Sequence, residues 1–187
     1  MKSILNLLVP AILLAAALNA QNAPQASVAI MIDVSTNTAY LVRDGVVEAQ
    51  SPAATGSEKV LIHGDDEWLF HTPLGHMTVQ RRILDPVWRK PDWAFIEAGE
   101  PVPPPDSPKR YVKNHLGKYA LYLGDGIMIH GTDDADSIGR YVSHGCVRVP
   151  NDMLERLWQE TKVGTDVYIY ESQPGSSSQM RGSRGGG

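Results

Sequence analysis

Cys146 is the sole cysteine in 187 residues, and it sits among groups able to work on it: His130, Gly131, Ser143, His144, Gly145 and Arg148. A lone cysteine is by default a small buried hydrophobe. A catalytic one needs help, because a free thiol has a pKa of about 8.5 and is largely protonated at neutral pH. His130 and His144 offer a base, and Arg148 offers a cation that favours thiolate over thiol. Gly145 allows backbone angles closed to other residues, and N–H groups around such a turn can face a developing oxyanion. Nucleophilic catalysis by a thiol is the chemistry this set suits. The same residues invite a zinc reading, with His130, His144 and Cys146 as ligands and His63, His71 or His76 as a fourth, but the spacing fits no common zinc pattern. The run Asp133, Asp134, Asp136 fails as a calcium loop: aligned on Asp134, the twelfth position is Gly145 rather than Glu. A thiol mechanism needs no metal or organic cofactor, and no Gly-rich phosphate loop is present.

Short strands surround this segment. The runs 27–34 and 38–43 are apolar and β-branched, with Ser35, Thr36 and Asn37 as the turn between them. Asp44-Gly45 and Asp125-Gly126 are hairpin turns flanked by apolar alternation. With 76–82 and 166–170 they make at least seven strands, the pattern of a sandwich or barrel. On the strand ending at His130, Met128 and His130 alternate with Ile127 and Ile129, so His130 faces away from the isoleucines. One clear helix is expected over 151–161, with Met153, Leu154, Leu157 and Trp158 on one stripe, Asn151 as cap and Gly164 as stop. Residues 85–116 hold seven of the 13 prolines and two of the four tryptophans. Proline blocks both ladders and helix interiors, so this reads as a long insertion loop, either a lid over a groove or an excursion packed on the sheet.

Acids outnumber bases 21 to 17, for a net charge of -4, which argues against a nucleic-acid partner. Residues 1–20 begin with Lys2 and carry a 15-residue apolar run, Ile4 to Leu18. A membrane span needs roughly 20, so a secretory signal is the reading, cleaved between 17 and 23, with no stable membrane insertion afterwards. An exported protein with an unpaired thiol points to a reactive one. Residues 172–187 hold five Ser and five Gly and read as a disordered tail.

Ser143-His144-Gly145-Cys146-Val147-Arg148, with His130-Gly131-Thr132 upstream and Asn151 downstream, resembles the signature of the L,D-transpeptidase catalytic domain, the YkuD family. Thr72-Pro73-Leu74-Gly75, Ala54-Thr55-Gly56 and Ser137-Ile138-Gly139-Arg140 resemble further pieces of it, and the likeness spans about 27–170, giving a catalytic domain over 27–171. The resemblance implies a mainly β, sandwich-like fold with one or two short helices. It implies Cys146 as nucleophile, His130 as proton donor and acceptor, the Gly131 carbonyl as the group orienting His130, and backbone N–H groups at His144, Gly145 and Cys146 as oxyanion hole. Ser143 and Arg148 would hold the turn, and Tyr119, Tyr122 and Arg140 are the candidates for substrate contact. The implied partners are peptidoglycan stem peptides in the periplasm or cell-wall space of a bacterium. The enzyme would attack the third residue of a stem, release D-Ala, form a thioester and pass the acyl group to an amine on another stem or on an acceptor protein. Water as acceptor would make it a carboxypeptidase, and loss of chemistry would leave a wall-binding module.

Overall fold

The computed structural model describes residues 26–173, a mainly β domain with two short helices. The proposed signal at 1–20 and the tail from 174 onward lie outside the described residues. Ser172, placed at the head of that tail, is tied down instead: its N–H donates to Asp33 Oδ1 at 3.3 Å and its hydroxyl lies 3.0 Å from that of Ser35.

The first strands are β1 (Val28–Asp33), β2 (Thr38–Arg43), β3 (Val46–Pro52), β4 (Thr55–Gly56), β5 (Val60–His63), β6 (Asp66–Leu69), β7 (Gly75–Thr78) and β8 (Arg81–Leu84). The insertion carries β9 (Trp88–Arg89), α1 (Asp92–Glu97) and β10 (Tyr111–Val112). There follow β11 (Tyr119–Gly124), β12 (Ile127–His130), β13 (Tyr141–Ser143), β14 (Val147–Arg148), α2 (Asn151–Glu160) and β15 (Asp166–Tyr170). Asp44 and Gly45 both have positive φ, as do Asp125 and Gly126, which is the twist that matches a tight hairpin to its strands. The run 76–82 is two strands, β7 and β8, broken where Val79 N–H turns to Thr165 and Gln80 N–H to Tyr122.

A five-stranded sheet runs β3-β2-β1-β15-β7 and a four-stranded sheet runs β14-β12-β11-β8. The first and last strands, β1 and β15, pair in parallel, so the whole intervening chain must be laid down before the larger sheet closes. One core lies between the sheets and under α2. Ile30, Ile32, Leu41, Leu121, Ile129, Leu154, Leu157 and Ile169 are its largest fully buried side chains, each worth about 1.5–3 kcal/mol of transfer free energy.

Helix α2 buries Met153, Leu154 and Leu157 as its spacing predicts. Its cap differs. Pro150 occupies the N-cap with no side-chain hydrogen bond, and the Asn151 side chain packs instead against Gly131, where an added Cβ would lie 3.1 Å from Asn151 Oδ1. The stop comes before Gly164, at Thr161, whose hydroxyl and N–H both donate to the Leu157 carbonyl. Among the described residues no helix is long and apolar enough to cross a membrane.

Residues 85–116 are an excursion with internal structure. Arg110, 3% exposed, holds it together by donating to the carbonyls of Pro103, Pro104 and Lys90 and pairing with Asp92 at 2.7 Å. Prolines offer carbonyls but no N–H, so a buried arginine with five donors suits them.

Candidate active site

Strand parity brings the sequence-selected residues into one groove. On the four-stranded sheet, Val147, Ile129 and Leu121 stand side by side on the core face, each fully buried. Alternation then sends their neighbours out of the opposite face in two rows. One row runs Arg148, His130, Ala120, Ile83. The other runs Met128, Tyr122, Arg81, with Cys146 beside Met128, one step before the Val147–Ile129 pair. A groove of about 860 Å³ covers these rows, lined by Cys146, His130, His144, Arg148, Tyr122 and Arg81 on the sheet side. The insertion supplies the facing wall, with Trp88, Trp93, Glu97 and His115.

His130 is 4% exposed, and its Nδ1 lies 2.5 Å from the Gly131 carbonyl. A carbonyl can only accept, so Nδ1 carries the proton and Nε2 keeps its lone pair. Burial holds the imidazole to a pKa of about 4, against the opposing pull of the Gly131 carbonyl and with help from the Arg148 charge. Cys146 Sγ lies 3.5 Å from the Gly126 carbonyl at the hairpin tip. Here the expectation from Arg148 is reversed. Desolvation pushes the thiol up, and it outweighs the backbone hydrogen bond at Met128 and the Arg148 charge, which both pull down. Burial thus favours the uncharged form of both groups, thiol and imidazole, in the one groove they line.

The turn before Cys146 is built by two hydroxyls. Ser143 Oγ donates to the Cys146 carbonyl at 2.6 Å and accepts from Gly145 N–H at 3.2 Å. Thr72 Oγ1 donates to the Gly145 carbonyl at 2.9 Å, which gives Thr72-Pro73-Leu74-Gly75 its place in the site. Gly145 has φ +119°, and a Cβ there would sit 2.8 Å from the His71 carbonyl oxygen, so only glycine fits.

His144 is gripped by the insertion: its Nε2 lies 2.7 Å from Glu97 Oε2, Trp93 stacks on it at 4.0 Å, and Phe70 meets it edge-on at 4.3 Å. Trp88 stacks on His115, whose Nδ1 lies 2.9 Å from Asp133. Among the described residues no three His, Cys, Asp or Glu side chains gather as a metal site would require.

Two of the three substrate-contact candidates fall outside the groove. Tyr119 is on the core-facing parity of β11 and stacks on Trp158 at 4.5 Å. Arg140 has its main chain tied to Thr55 and Ser137 and an exposed side chain away from the groove lining. Tyr122 does line it. Sequence reasoning passed over Glu97, His115 and Arg81. The Asp125-Gly126 hairpin sets Tyr122 opposite Met128, but the pairing of Arg81 with Tyr122 joins β8 to β11 and has no local signal.

The family model for YkuD, the L,D-transpeptidase catalytic domain, matches residues 27–169. The chain belongs to that family. Relatives of this L,D-transpeptidase family member include the probable L,D-transpeptidase YbiS of Escherichia coli, 34% identical over 142 residues that cover 71% of this chain and 44% of YbiS. The putative L,D-transpeptidase YqjB of Bacillus subtilis is 32% identical over 148 residues, 75% of this chain and 69% of YqjB. The chain thus spans about half the length of relatives such as YbiS and the Salmonella typhimurium ErfK/SrfK protein, of which 55% is covered. Among solved structures, an L,D-transpeptidase from Mycobacterium smegmatis superposes with a TM-score of 0.56 at 24% identity, covering 78% of this chain and 59% of that one. The catalytic domain of an Enterococcus faecium L,D-transpeptidase gives 0.54 at 17% identity, covering 79% of this chain and 100% of that one. At these identities the likeness is one of fold.

Proposed function

We propose that this chain is an exported cysteine L,D-transpeptidase of the bacterial cell wall, acting on peptidoglycan stem peptides. The observation that carries the reading is one groove lined by both a thiol, Cys146, and a buried imidazole, His130, whose Nδ1 is committed to the Gly131 carbonyl. Nε2 is then the free base. It takes the thiol proton as sulfur attacks the carbonyl of the third stem residue. The tetrahedral oxyanion is met by backbone N–H groups of the turn. Gly145 N–H already donates to Ser143, so His144 and Cys146 are better placed to serve. The carbon–nitrogen bond breaks, His130 returns the proton to the departing D-Ala amine, and a thioester remains on Cys146. An acceptor amine attacks that thioester and gives its proton to His130, and the thiolate leaves and regains a proton. The products are a crosslink between third residues or a protein attached to the wall. Signal-directed export would put the enzyme where its substrate is.

The test is to mix the purified chain, and its Cys146→Ala form, with a disaccharide tetrapeptide and follow both by mass spectrometry. A thioester adduct on the unaltered chain alone, with loss of D-Ala, is expected. A dimeric product marks transpeptidation and a free tripeptide marks water as the acceptor. Absence of adduct and product on any stem peptide would overturn the enzyme reading in favour of a wall-binding module.

A further inference from the structure

Arg81 and Arg148 line the groove with neither an ion pair nor a side-chain hydrogen bond among the described residues, and of the two only Arg81 is stacked on an aromatic ring. Arg81 lies on the reactive face of β8, in register with Tyr122, and its guanidinium sits 4.2 Å over the Tyr122 ring. Stacking occupies the flat face of the fork and leaves the N–H edges open. Among the described residues Arg81 has no ion pair and no hydrogen bond, whereas Arg89 donates to the Pro105 carbonyl and Lys90 faces Glu100. The platform is itself anchored to the reactive centre. Tyr122 pairs with Met128, the neighbour of Cys146, and its hydroxyl reaches Gly126 N–H at 3.5 Å, beside the carbonyl that Cys146 Sγ contacts.

We infer that Arg81, held flat by Tyr122, is a specificity-determining residue that binds a free carboxylate on the donor peptide. The inference rests on the peptide-acyl-transfer reading above. Cys146 and Tyr122 are two strand spacings apart, roughly 10 Å. An extended chain covers about 3.3 Å per residue, so a carboxylate at the end of the side chain of the residue before the attacked one can bridge this distance, whereas one on the attacked carbon cannot. A stacked guanidinium with open edges accepts a carboxylate as a two-point fork, and a carboxamide cannot match it in charge. His144, on the sheet side, and Glu97, on the facing wall, are already engaged with each other, so His144 does not compete for this anion.

The experiment uses two stem peptides, identical except that the residue before the attacked one bears a free carboxylate or its carboxamide. Binding to the Cys146→Ala chain is read from tryptophan fluorescence, since Trp88 and Trp93 line the groove. Turnover is read on the chain with Cys146 intact. Tighter binding of the carboxylate peptide by about tenfold is expected, with the difference falling in KM rather than kcat. Arg81→Gln is expected to erase the preference by weakening only the carboxylate peptide, and Arg81→Lys to restore part of it. Equal binding of the two peptides to the unaltered groove overturns the proposal, and so does an Arg81→Gln effect equal on both. An Arg81-dependent preference in binding without any acyl-enzyme would leave the carboxylate site standing and remove the transpeptidase reading.

Discussion

The His130 imidazole titrates in the folded chain at about 4, against about 6.5 when unfolded. The unfolded chain therefore takes up this proton first as pH falls. Above 6.5 the group contributes nothing. Between about 6.5 and about 4 it costs the fold stability, in all about 3 kcal/mol. Urea denaturation at pH 7 and pH 4.5 should show the loss, and His130→Gln should flatten the slope. A remnant will persist because desolvation also lowers His144. An identical slope in both proteins would refute the burial argument. The thiol makes the complementary prediction. With Cys146 pushed up by desolvation, iodoacetamide should alkylate it with a pH midpoint above the ordinary thiol range. A midpoint below pH 7 would mean a resting thiolate–imidazolium pair. The Arg148 cation was legible in the sequence, but the desolvation that outweighs it was not, because burial is a property of neighbours far away in the chain.

At the scale of elements, the insertion is joined to the turn at Ser143–Cys146 through His144. Glu97 on α1 accepts from its ring, and Trp93 from the same helix covers it. Glu97→Ala should slow acyl-enzyme formation about tenfold with little change in KM, while Glu97→Gln, which keeps an acceptor, should recover most of the rate. Single-turnover mass spectrometry decides this, and equal losses in both would point to charge rather than positioning. Arg110 plays the same part inside the insertion. Arg110→Ala would leave three carbonyls and Asp92 without their donor, at a cost of roughly 3 kcal/mol to the local structure. Proteolysis should then shift to cuts within 85–116. Proline content marked this segment as irregular, yet the arginine that orders it is indistinguishable in sequence from a surface arginine. The tyrosines repeat the lesson. Residues three apart on a strand face opposite ways, so Tyr119 and Tyr122 could not both reach the groove, and the Ala120–His130 pairing selected Tyr122.

For the molecule as a whole, the two sheets share one core and the terminal strands lie side by side. Leu121 is fully buried where the sheets meet. Leu121→Ala should cost 2–5 kcal/mol, with tryptophan fluorescence and far-UV circular dichroism losing signal in one coincident transition. Separate transitions for the two probes would show that the sheets unfold independently.

Local chemistry was enough to foresee a good part of this protein. The hairpins at Asp44-Gly45 and Asp125-Gly126, the apolar stripe of α2, the outward face of His130 and the cluster around Cys146 all follow from turn angles, periodicity and residue type, which act over a few neighbours. Tertiary structure alone decided which strands pair, and so which cation stands over Tyr122, which carboxylate holds His144, and how far burial shifts the two groups at Cys146 and His130. Those are long-range facts, because desolvation and register depend on residues far apart in sequence that meet only in the folded chain, as Arg81 meets Tyr122 and Glu97 meets His144.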